Sequence, residues 1–228
     1  MIKITSVEPQ KKNPHRFNIY LDGQFAFGAD EDLVVEHRLM VEKVLDTSDV
    51  EKLLFEAEVG KLMERMYRLF NIRARSEEEV RRYLKNLSFK RKIKDKEEIS
   101  EAAIELLITK LKQKGLLSDE EFAKSWVEAR RRSRKKGKIA LKQELYQKGI
   151  DREIIEKVIS EQGTGDSEEE VASQALEKKM KVWKSLPEDE LNEKSLRDLK
   201  KKAWEFLLRR GFEYSVVKNV VANVLEKR

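Results

Sequence analysis

The chain begins with a two-residue rhythm of apolar and polar positions and then changes to a helical one. Ile2, Ile4 and Val7 stand among polar residues, and residues 11–15 carry turn chemistry. Phe17, Ile19 and Leu21 then alternate again before Asp22-Gly23 turns the chain into Phe25 and Phe27. This pattern predicts a small antiparallel sheet of three strands over residues 1 to about 29. So short a sheet needs a cover on its apolar face, which residues 32–38 or the next long helix can supply. From about residue 48 apolar positions recur every three or four residues. The spacing predicts helices at 49–71, 76–88, 97–114, 118–135, 137–148, 151–161, 168–185, 192–210 and 213–227. Four starts carry a serine followed three residues later by an acid: Ser76 with Glu79, Ser118 with Glu121, Ser167 with Glu170 and Ser195 with Asp198.

One phrase recurs at the helix ends. A leucine, two spacers, a basic residue, glycine and an apolar residue run from Leu145 to Ile150, from Leu207 to Phe212 and from Leu111 to Leu116. Glycine can take the left-handed conformation just past a helix end, and the apolar residue after it folds back toward the leucine. The copies also fall in register. Gly149 and Gly211 are 62 positions apart and Ser88 lies 61 before Gly149, which superposes Leu84, Leu145 and Leu207. Val80, Leu141 and Ala203 then coincide one turn earlier, and Phe89, Ile150 and Phe212 just after the turn. A fixed period points to an array of similar units. The predicted fold is mainly α: an elongated array of three three-helix repeats with a small N-terminal antiparallel β-sheet. Its segments are 1–48 for the sheet and a short helix, then 49–116, 117–163 and 164–228 for the three repeats.

Composition favours a thin stack over one thick core. Only 39% of the residues are hydrophobic against 40% charged, and the mean hydropathy is −0.69. The absence of cysteine excludes disulfides, thiolate zinc sites and cysteine nucleophiles. No apolar run reaches the roughly 18 residues of a membrane helix, and the N-terminus has no signal-peptide pattern, so a cytoplasmic protein is expected.

Charge singles out the middle unit. Arg130, Arg131, Arg132, Arg134, Lys135, Lys136, Lys138, Lys142 and Lys148 face the single local acid Glu144, a balance of +8 within a chain whose net charge is +6. So many like charges in so short a span call for a polyanion, and phosphate backbone fits best. Arginine offers forked donors, lysine a mobile charge, and Gly137 a close backbone approach beside a helix start. A solvated basic face and a nuclear-localisation signal are the competing readings. Lys90, Arg91, Lys92, Lys94 and Lys96 form a second basic run with the lone Asp95, expected as an exposed loop.

Catalytic patterns are not evident. His15 and His37 lack metal-ligand spacing to each other, and 163–167 lacks the lysine and hydroxyl that end a phosphate loop. No enzyme activity, cofactor or metal is expected. Trp126, Trp183 and Trp204 sit at helical spacing among apolar neighbours, which favours core packing over base stacking.

These residues resemble the RecX family, regulators of the RecA recombinase. The resemblance runs through Arg75-Ser76-Glu77-Glu78-Glu79-Val80 with Leu84, the stretch from Leu116 to Val127 with Arg130, and Lys136-Gly137-Lys138-Ile139 with Glu144-Leu145. It continues at Lys148-Gly149-Ile150 and ends with Phe206-Leu207 and Arg209-Arg210-Gly211-Phe212. It implies a curved array lying in the groove of a RecA filament on single-stranded DNA, where the family modulates and mainly inhibits ATP hydrolysis, filament extension and strand exchange. The implied setting is recombination, DNA repair and the SOS response. The implied partners are the RecA filament and single-stranded DNA, with a monomer expected, no membrane and no catalytic residues. Arg130, Arg131, Arg132, Arg134, Lys135, Lys136, Lys138 and Lys142 are the expected contacts. Ser88 departs from the pattern where the turn has glycine, and the N-terminal sheet is an addition to it. A helical nucleic-acid-binding protein that acts without RecA, and a protein-only scaffold, are the alternatives.

Overall fold

The computed structural model describes residues 1–11, 13–161, 167–183 and 193–226, the last group with side chains from Leu196 to Leu225. The box at Ser195 and the connections at 163–166 and 185–192 therefore lie outside the described side chains. The described chain forms two compact units, one of residues 1–74 with 80–117 and one of 75–79 with 118–228.

In the first unit, strands β1 (Ile2–Gln10), β2 (Asn13–Leu21) and β3 (Gln24–Asp30) form the expected meander. Asp22 and Gly23 both have positive φ, +47° and +83°, as a tight two-residue hairpin requires. A fourth strand, β4 (Val44–Leu45), pairs with β1 and gives the antiparallel order β3-β2-β1-β4. Two residues are too few to show an alternation, so no sequence pattern announced it. Phe25 is also not where the alternation put it. Ile19 pairs with Phe27 while Tyr20 pairs with Phe25, so Ala26 is the extra residue of a bulge and Phe25 turns to solvent.

Helix α1 (Glu31–Glu36) and the start of α2 (Thr47–Phe70) both cover the sheet. Ile4, Ile19, Phe27, Leu33, Leu45, Leu53 and Ala57 share this core. The nearly buried Arg16 ties sheet to helix, donating to Glu64 at 2.9 Å and to the carbonyl of Gly28 at 2.9 Å. Farther along α2, Leu62 and Met66 pack with Val80 and Leu84 of α3 (Glu77–Lys92) and with Ile104, Leu107 and Leu111 of α4 (Glu101–Gln113).

The second unit holds two more three-helix groups. Helices α5 (Asp119–Arg134), α6 (Lys138–Gln147) and α7 (Arg152–Glu161) enclose Phe122, Val127, Leu141, Leu145, Ile155 and Val158. Helices α8 (Glu168–Trp183), α9 (Glu193–Arg209) and α10 (Tyr214–Glu226) enclose Val171, Leu176, Ala203, Leu207, Phe212 and Val221. The serine caps form as predicted where side chains are described. Ser76, Ser118 and Ser167 accept from the backbone N–H of Glu79, Glu121 and Glu170 at 3.3, 3.3 and 3.2 Å.

The superposed leucines Leu84, Leu145 and Leu207 are each fully buried, but the positions after the turn diverge. Ile150 and Phe212 are buried, whereas Phe89 is 62% exposed, because α3 runs through Ser88 for another turn instead of ending there. Ser88 is buried inside the helix, and its Oγ accepts from the N–H of Ile99 at 2.9 Å. Ile99 is the residue that enters the core at this point. The basic run is thus partly helix, with its remainder looping back to Ile99. Among the described residues no helix is long and apolar enough to cross a membrane.

Candidate nucleic-acid interface in the central helices

The cations singled out by the sequence occupy the end of α5, the junction after it and the first turns of α6, with Lys148 at the C-terminal cap of that helix. Arg131, Arg132 and Arg134 lie in the last turn of α5, where positive charge complements the carbonyl end of the helix dipole. Lys135 ends the helix in the left-handed conformation, with φ +50°, and its N–H returns to the Arg131 carbonyl. Gly137 caps α6 two residues later.

Most of these charges already have partners. Glu144 is the hub: Oε2 accepts from Trp126 Nε1 at 2.8 Å and from Arg130 Nε at 2.9 Å, and Oε1 pairs with Lys136. Burial pushes the Glu144 carboxyl up, but hydrogen bonds from Lys136, Trp126 and Arg130 outweigh it and hold the group below the ordinary glutamate value. Arg130 also lies 4.2 Å from the centre of the Trp126 ring, and Lys148 lies 4.9 Å from it. Trp126 is therefore a packed platform inside the group, stacked on Phe122 at 5.7 Å.

Acids from distant parts of the sequence meet the other lysines. Lys142 pairs with Glu156 at 2.6 Å, Lys138 with Glu168 at 3.4 Å, and Lys148 with Glu79 at 2.6 Å. Lys135 donates to Gln174 at 2.6 Å. The local balance of +8 thus overstates the free charge, because folding brings in Glu79, Glu156 and Glu168, the first of them 69 positions from its partner. Sequence reasoning missed these three acids, and nothing in the local pattern marks them. Arg131 is engaged within the protein as well. Arg132 and Arg134 present exposed guanidinium groups without an ion-pair partner among the described residues.

Gly137 does allow a close backbone approach, but what approaches is protein. A Cβ on Gly137 would lie 2.3 Å from the Gly211 carbonyl oxygen. The N–H groups of Gly137 and Ile139 donate to the carbonyls of Arg210 and Gly211 at 2.9 and 3.0 Å, and that of Lys138 donates to Glu168 at 2.9 Å. The start of α6 is spent on the turn between α9 and α10, so the expected phosphate cradle at Gly137 is corrected. The same joint occurs one period earlier. Ser76 Oγ donates to the Lys148 carbonyl at 2.6 Å, and a Cβ on Gly149 would lie 2.3 Å from Glu78 Cβ. Each joint seats the start of one helix on a glycine turn.

Among the described residues, Glu36, His37 and Glu56 form one group whose ligand atoms lie within 4.8 Å of one another, the one place a metal could be held. His37 Nε2 is already 2.6 Å from Glu56. His15 is exposed beside Glu31.

Comparison with known proteins agrees with this architecture. The profile of the regulatory protein RecX N-terminal domain matches residues 2–46, so the sheet is part of the family pattern and not the expected addition to it; that of the RecX second three-helix domain matches 118–159, and that of the third matches 166–221. The chain is 32% identical over 218 residues to the regulatory protein RecX of Listeria monocytogenes, covering 95% of this chain and 74% of that one. It is 34% identical over 214 residues to the regulatory protein RecX of Bacillus subtilis, covering 94% and 74%. A crystal structure of regulatory protein RecX superposes with a TM-score of 0.69 at 27% identity, covering 96% of this chain and 98% of that one. RecX from Lactobacillus salivarius shares the fold, with a TM-score of 0.58 over 73% of this chain and 96% of that one. With its N-terminal sheet, its three-helix groups and this likeness along almost its whole length, the chain belongs to the RecX family of regulatory proteins.

Proposed function

We propose that this protein binds the RecA recombinase on single-stranded DNA and restrains its ATP hydrolysis, filament extension and strand exchange, acting in the cytoplasm in DNA repair and the SOS response. The observation that carries the reading is the match to regulatory RecX proteins over 95% of the chain, the cation-bearing helices included. The working parts are the sheet segment 1–48 and three repeats, 49–116, 117–163 and 164–228. The central contact is made by Arg130, Arg131, Arg132, Arg134, Lys135, Lys136, Lys138 and Lys142. Arg132 and Arg134 lead it, because their guanidinium groups are exposed and need break no ion pair to meet phosphate. Arg130, Lys135, Lys136, Lys138 and Lys142 would first exchange Glu144, Glu156, Glu168 or Gln174 for the partner.

The test adds the protein to RecA on single-stranded DNA and follows ATP hydrolysis. Inhibition is expected well below one molecule per RecA protomer, and the R132Q/R134Q variant should need several-fold more protein for the same effect. Inhibition only at amounts that coat the DNA would sink the filament reading in favour of competition for DNA.

A further inference from the structure

The α3 extension turns a loop expected from sequence into one wall of a groove. Because α3 continues past Ser88 to Lys92, its last turn and the following loop stand opposite the outer face of α2 and leave a groove of about 900 Å³. Lys61, Arg65, Lys90, Lys94 and Lys96 line it, and all five are exposed without an ion-pair partner among the described residues. Of its acids, Glu58 is paired with Arg91 and Glu98 with Lys92, so Glu51 and Glu97 are the unpaired ones. Five free cations against two free acids leave this groove with a surplus of positive charge that no internal partner neutralises.

The walls are also partly apolar. Leu54 is 43% exposed and Ile93 67%, and the half-buried Phe55 belongs to the same lining. Free cations beside exposed apolar surface suit a strand whose phosphates and unstacked bases are both accessible, and a duplex offers only the first. We propose that the groove between α2 and the α3 extension is a second binding site of this protein, taking the phosphate backbone and bases of single-stranded nucleic acid. It adds a site to the function proposed above and does not depend on the central cations.

The test is binding of the full chain to a fluorescent oligothymidylate, without RecA, over a series of sodium chloride concentrations. The K61Q/K90Q/K94Q/K96Q variant breaks no ion pair, so it should keep the wild-type circular dichroism melt. Its affinity should fall about tenfold or more, and its slope of log affinity against log salt should flatten by about 3, at roughly 0.7 per lost phosphate contact. The single charge reversal K94E should weaken binding in the same direction. An unchanged slope in the quadruple variant overturns the inference. If R132Q/R134Q alone loses the oligonucleotide, the central reading stands and the groove falls. If the quadruple variant binds oligothymidylate normally but no longer inhibits RecA, the groove reads an acidic protein surface, and the nucleic-acid assignment is wrong.

Discussion

Glu144 shows at the scale of one residue how a charge count misleads. In sequence it is a lone acid among nine cations, an apparent imperfection in a basic run. In the fold it accepts from Trp126, Arg130 and Lys136 and holds the end of α5 against α6. Its carboxyl lies below the glutamate value of 4.5 when folded, so its stabilisation is fully present above that value and fades as pH falls through the depressed folded value. Replacing it by glutamine keeps an acceptor for Trp126 but removes the charge. E144Q should be less stable than the parent protein by about 1 to 2 kcal/mol at neutral pH, the difference expected for hydrogen bonds to a charged group. In urea titrations that gap should narrow steadily as the pH is taken below 4.5. A gap that stays constant down to the acid limit would mean that Glu144 is not the hub.

Elements are defined by their ends in this protein. The three leucine-to-glycine phrases all form: Gly115, Gly149 and Gly211 have φ of +67°, +76° and +81°. Leu116, Ile150 and Phe212 each donate to the leucine carbonyl five positions back, at 3.0, 3.1 and 3.3 Å. That geometry was legible because it is local, fixed by the glycine and its flanking apolar residues. Less legible was that two of the turns also receive another helix. Gly115 has nothing within 4 Å of a built Cβ, whereas one on Gly211 would lie 2.3 Å from the Ala140 nitrogen. Alanine should therefore cost about 1 to 2 kcal/mol at Gly115, from the left-handed backbone alone. At Gly211 it should cost about 3 kcal/mol or more, because backbone must also move. G137A has ordinary φ but meets Gly211, so it should resemble G211A more than G115A in denaturant midpoint. Equal effects at Gly115 and Gly211 would remove the joint from the account. Ser88 marks the opposite case. It lacks the freedom of glycine, so α3 continued, and its hydroxyl was spent on the N–H of Ile99.

Among the described residues the buried apolar side chains fall into four separate clusters, one under the sheet and one in each three-helix group. Such a division makes stability regional. Leu176→Ala empties a fully buried site among α8, α9 and α10 and should cost about 2 to 5 kcal/mol. Hydrogen exchange should quicken in those helices while protection under the sheet, around Ile4 and Ile19, is unchanged. Uniform loss of protection along the chain would show one cooperative core instead. The sequence by itself determined the helices, their caps, the hairpin and the glycine turns, because each rests on spacings of two to five residues. It also carried the family pattern. Only the tertiary structure decided which charges remain free. Ion pairing depends on distances in space, and Lys148 met Glu79, Lys142 met Glu156 and Lys138 met Glu168 from far along the chain. For the same reason the strand β4, the bulge at Ala26 and the fate of Gly137 were settled by what each backbone group found to bond with.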